Sequence, residues 1–103
     1  MEYRDLVNSY AISPRNVHTI PKTNTDPRWF YVRAKDDIIL IESGRTNGRN
    51  SIIKGQRRLN PEEFDNMVDI YKRRKQNQSI SAEATEVTRN QVYWFGILSD
   101  LNL

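Results

Sequence analysis

Arg89, Asn90 and Gln91 follow one another directly, and each is a side-chain type that reads a base edge: arginine takes guanine, asparagine and glutamine take adenine. Upstream, Arg45, Arg49, Lys54, Arg57 and Arg58 occur with no acid between them, and Lys72, Arg73, Arg74 and Lys75 form a second basic block. Clustered cations neutralise phosphates, so the chemistry expected is non-covalent binding of an anionic partner, nucleic acid first and DNA before RNA. In that reading the two basic clusters grip the backbone and Arg89, Asn90 and Gln91 contact bases. The competing account is structural, because solvated faces and helix C-termini collect Lys and Arg for the macrodipole alone.

Other chemistries find less support. A metal-dependent nuclease needs acids and a lysine on adjoining strands, yet Asp36 and Asp37 read as a hairpin turn and Glu42 is followed by Ser43 and Gly44. His18 is the single histidine and has no nucleophile or orienting acid at a meaningful spacing, so a basic ribonuclease built on it ranks third. There is no glycine-rich phosphate loop and no zinc spacing, so no cofactor or metal is expected. Without cysteine, disulfides and thiolate sites are excluded and the compartment defaults to the cytoplasm. No run of apolar residues approaches a membrane span, and no membrane partner is expected.

The charge is unevenly spread. The chain of 103 residues carries 16 basic and 13 acidic side chains, net +3. Residues 1–43 hold 6 of each sign, residues 44–79 hold 9 basic and 4 acidic, and residues 80–103 hold 1 and 3. The C-terminal base readers therefore lie in acidic surroundings, and any phosphate grip must come from the middle of the chain.

The elements that would position these groups follow from pattern. Arg28 to Ala34 alternates, with Trp29, Tyr31 and Arg33 on one face and Phe30, Val32 and Ala34 on the other; Lys35, Asp36 and Asp37 turn the chain into the apolar run Ile38 to Ile41. Asn47-Gly48 signals a second turn and Ser51 to Lys54 a third strand, giving an antiparallel meander over 28–34, 38–43 and 51–54. Asn60 caps a helix over 61–75 with Pro61 in its first position and a stripe of Phe64, Met67, Val68 and Tyr71. Ser81 caps a short helix, 82–86. Thr88 with Gln91 forms a capping box, stapled by Val87 and Val92, for a helix over 89–101, with a buried strand as the alternative for the apolar run Val92 to Leu98.

The three helices in succession resemble the layout of a helix-turn-helix, whose last helix enters the major groove. Residues 1–27 read as an irregular arm in which Tyr3, Leu6, Val7 and Tyr10 share one face of a short helix, Ser13-Pro14 begins a further turn, and His18 and Asn24 lie on a loop. The expected fold is a single α+β domain over 1–103: a three-stranded antiparallel sheet packed against two main helices. Two function classes stand, both non-enzymatic. One is a DNA-binding protein using the basic loop and the C-terminal helix. The other is a homodimeric interaction or small-molecule-binding module, in which Trp29, Tyr31, Trp94 and Phe95 exceed what the core needs and cover a subunit interface.

Overall fold

A computed structural model describes residues 1–23 and 25–103. Asn24 lies outside the described residues. Among the described residues the architecture is α+β, with four α-helices and a four-stranded antiparallel sheet in the order β1-β2-β3-β4. The sheet gains its extra strand from the N-terminal region. After α1 (Tyr3–Ile12), the chain does not begin a helical turn at Pro14 but forms β1 (Arg15–His18), which pairs antiparallel with β2 (Trp29–Lys35). The expected irregular arm is thus a helix and an edge strand. Its periodic residues behave as their spacing requires: Leu6, Val7 and Tyr10 are buried, and the Tyr10 hydroxyl donates to Asp100 across 2.8 Å.

The hairpin of β2 and β3 (Ile38–Ser43) is the spine of the sheet, with Val32 opposite Ile41 and Lys35 opposite Ile38. Asp36 and Asp37 turn it with φ of 54° and 63°. Two left-handed residues in succession make the two-residue turn whose twist suits a hairpin, and aspartate tolerates that region better than most side chains. The third partner differs from expectation. Ser51 to Lys54 forms no strand; β4 is the pair Arg57–Arg58, opposite Ile41 and Leu40. Asn47-Gly48 is a bend in an irregular loop rather than a hairpin turn. That loop is anchored by Ile53, 7% exposed, whose backbone exchanges hydrogen bonds with the Ser43 hydroxyl.

The helical layer covers one face of this sheet. Pro61–Glu63 is a single 3-10 turn leading into α2 (Phe64–Lys75), and the Asn60 side chain accepts from the Glu62 N–H at 3.0 Å, the cap read from sequence. The Glu63 carboxylate accepts from the Trp94 indole N–H at 3.1 Å. α2 ends where Asn77 turns left-handed, its N–H reaching the Arg74 carbonyl while the Gln78 N–H reaches that of Arg73. α3 (Ser81–Val87) leads to α4 (Gln91–Asp100). The capping box at Thr88 is not made: the Thr88 hydroxyl accepts from the Asn90 N–H at 2.9 Å and the helix begins two residues later than its pattern suggests.

α4 is the central helix. Tyr93, Trp94, Phe95, Gly96, Ile97 and Leu98 are all buried, against Phe30 of the sheet, Phe64 and Tyr71 of α2, and the backbone of β1. Gly96 permits this: a Cβ there would lie 2.7 Å from the His18 carbonyl oxygen and 2.9 Å from the Phe30 ring. A helix apolar on every side has no stable place but the interior. None of the described helices is long and apolar enough to cross a membrane.

Candidate nucleic-acid interface

Strand alternation sends Val17, Phe30, Val32, Ile39 and Ile41 into the core beneath the helices. Their neighbours in register therefore emerge on the opposite face: Asn16 and His18 from β1, Trp29, Tyr31 and Arg33 from β2, Leu40 and Glu42 from β3. Trp29 and Tyr31 are half-buried there, two residues apart on one strand. His18 stands directly opposite Trp29, ring centroids 5.1 Å apart at 74°. Its Nδ1 donates to the Thr19 carbonyl at 3.0 Å.

The basic loop folds against this same face. The Arg45 guanidinium sits 3.9 Å from the centre of the Tyr31 ring, and its backbone N–H is fixed by the Asn16 side chain at 2.8 Å. Gly48 borders the Trp29 indole, and Gly44 passes so close to β2 that a Cβ would fall 2.3 Å from the Trp29 carbonyl oxygen. Glu42 is the acid at the centre: it takes Arg33 at 2.7 Å and Arg45 at 2.6 Å. Those two guanidinium groups, Arg33 foremost, hold its carboxyl below the usual carboxylate range. Arg33 also reaches Gln56 at 2.6 Å, and Arg58 extends the basic rim beside Leu40.

The residues expected to bind nucleic acid separate into distinct places. Arg45 and Arg58 belong to the open face, and Lys54 is exposed on the loop. Arg49 is exposed too, paired loosely with Asp26 at 3.4 Å. Arg57 points the other way, over the Tyr93 ring and onto the Asn90 side chain at 3.2 Å. In the second block, Arg73 is engaged by Asp69 at 2.9 Å and by Glu83, while Arg74 donates to the Ile20 carbonyl and stacks on Phe95 at 4.7 Å. Both hold α2 to its neighbours.

Arg89 is exposed, but Asn90 is occupied by Arg57, and Gln91 is half-buried beside Thr85. Gln91 opens α4, whose residues from Tyr93 to Leu98 fill the core. Sequence alternation did place Trp29, Tyr31 and Arg33 together; that the face beside them is left without helices depends on tertiary packing. His18 carried no such signal, since the strand that pairs it with Trp29 has a single apolar residue, Val17.

The face carries aromatic rings, guanidinium groups and one carboxylate, that of Glu42. Among the described residues no three His, Asp or Glu side chains converge as metal ligands would. Compared with known proteins, the chain matches no family model, no curated protein and no solved structure.

Proposed function

We propose that this protein binds single-stranded nucleic acid, without catalysis, on the open sheet face. The observation that carries the reading is the placement of Trp29 and Tyr31 side by side on a helix-free antiparallel face, with the arginine-bearing loop folded against it. Bases stack on exposed aromatic rings and on guanidinium planes, and every base has a π-face, so such a surface is sequence-tolerant. Arg45, Arg49, Lys54 and Arg58 supply phosphate contacts around it; Arg33 and Glu42 hold the loop in register. A strand is favoured over a duplex because stacked pairs do not present their faces to a flat sheet.

The rival occupant is a second copy of the chain. The surplus of aromatic side chains that suggested a homodimer shrinks once Trp94 and Phe95 are inside the monomer, 0% and 5% exposed.

Anisotropy titrations of labelled single-stranded DNA, single-stranded RNA and duplex at low salt test the proposal. Single strands should bind, Trp29→Ala and Tyr31→Ala should each weaken them by roughly 1 to 3 kcal/mol, and log K should fall with log salt by roughly 0.7 per phosphate contacted. Absence of single-strand binding, or duplex binding indifferent to Trp29→Ala, overturns it. So does a dimer in sedimentation that Trp29→Ala dissociates without any loss of nucleic-acid binding.

A further inference from the structure

On the helical side, away from the aromatic face, a cleft of about 450 Å³ opens between residues 19–22, residues 25–28, the end of α2, α3 and the start of α4. Its inner wall is apolar, made by Ile20, Ile80 and Phe95, and Val92 stands at its rim, 47% exposed. The charged lining is mostly cationic. Lys22, Arg28 and Arg74 face the cleft against Asp26 as its acid, and Asp26 is turned toward Arg49 at 3.4 Å.

Arg74 is the informative residue. Burial lowers its pKa, yet among the described residues no carboxylate pairs with it or with Arg28. One of its nitrogens is spent on the Ile20 carbonyl; a guanidinium has five N–H donors, so capacity remains. The Ile20 carbonyl and the Phe95 ring, 4.7 Å from the Arg74 guanidinium, offset part of the lost hydration, and an anion in the cleft would offset more. Gln91 adds a neutral contact: its side-chain oxygen is buried with no donor, so turning the amide into the cleft breaks no bond to that oxygen.

We propose that the cleft binds a small amphipathic carboxylate, an aromatic or aliphatic body seated on Ile20, Ile80 and Phe95 with its carboxylate toward Arg74 and Arg28. The volume suits a ligand of that scale, at the lower end of ordinary small-molecule sites. A nucleotide strand is a poor occupant because the wall is apolar and narrow. The site is independent of the sheet face, so the two readings stand or fall separately.

Amide-resolved NMR titration of the whole protein with 4-phenylbutyrate, and with 4-phenylbutan-1-ol as the neutral match, tests the proposal. The acid should shift the amides of Ile20, Ala84, Val92 and Phe95 and bind roughly tenfold more tightly than the alcohol, the worth of a charge-assisted hydrogen bond. Because Val92 is exposed, Val92→Glu and Val92→Lys should both fold; the first should weaken the acid by roughly threefold to tenfold and the second should not. Equal affinity for acid and alcohol, equal behaviour of the two Val92 variants, or no shift at these amides at millimolar acid would overturn it.

Discussion

Trp29-Phe30-Tyr31 in β2 and Tyr93-Trp94-Phe95 in α4 use the same three aromatic residue types, yet the molecule treats them in opposite ways. In α4 all three are buried, at 9%, 0% and 5% exposure; in β2 only Phe30 is, and its neighbours stand on the far side of the sheet. Backbone period causes the difference. Successive residues of a helix are turned by about 100°, so three in a row occupy more than half its circumference and are buried together only when the helix is surrounded. Successive strand residues alternate, so one face can be core while the other remains available. The sheet thus keeps two large aromatic rings outside the core, partly exposed, whereas the three of α4 are all inside it.

The sharpest way to break this comparison is to truncate both tryptophans. Trp94→Ala removes a fully buried indole and strands Glu63, and should destabilise by about 3 to 5 kcal/mol in urea unfolding. Trp29→Ala should cost less, about 1 to 2 kcal/mol, because the indole is partly open to solvent and its removal leaves no closed cavity. Equal losses would mean that the sheet face is as structural as the helix, and the binding role assigned to it would lose its basis.

Next in size is the point where the two regions meet. Gly96→Ala inserts a methyl against the His18 carbonyl and the Phe30 ring, forcing α4 away from β1. Overpacking of this kind should cost about 1 to 3 kcal/mol. It should also disturb His18 and Trp29 across the sheet, visible as altered exposure of Trp29 to acrylamide quenching. Unchanged stability would place slack between α4 and the sheet that the packing does not show.

Legibility from sequence divides along similar lines. The hairpin of β2 and β3 was readable because alternation and the Asp36-Asp37 turn agree, and α2 because Asn60, Pro61 and its apolar stripe agree. β1 was not, since Arg-Asn-Val-His has one apolar residue and becomes a strand only through pairing with β2. The basic loop misled because Asn47-Gly48 has the chemistry of a hairpin turn, while Ile53 is fixed by Ser43 before a third strand can form. At the C-terminus, Thr88 and Gln91 have capping-box spacing, but the Thr88 hydroxyl goes to Asn90 and the local motif yields to burial of α4. For the candidate site, the cations were visible in composition; which of them share a face with Trp29 was not, because Arg57 and Arg58 are adjacent in sequence and opposite in space.

The smallest expected effect bears on how the open face is held ready. Glu42 clamps Arg33 and Arg45, and their hydrogen bonds, that of Arg33 first, keep its folded-state pKa below its ordinary value of 4.5. Because the folded value is the lower one, the clamp contributes fully above pH 4.5 and is lost as pH falls through the folded pKa. Glu42→Gln should therefore cost about 0.5 to 1 kcal/mol at neutral pH, a small figure because the pair is partly exposed and screened. The stability difference between mutant and parent should close as the solution is acidified. Binding should move in the other direction: with Glu42 neutral, Arg33 and Arg45 are released to phosphates, so single-strand affinity rises at low salt and the salt slope steepens by roughly 0.7 for each phosphate gained. α4 has one comparable pair, at its C-terminal end, where Asp100 takes Arg15 at 2.7 Å. If Glu42→Gln lowers stability and leaves binding unchanged, the two arginines serve the loop alone, and nucleic acid does not meet the protein at Tyr31.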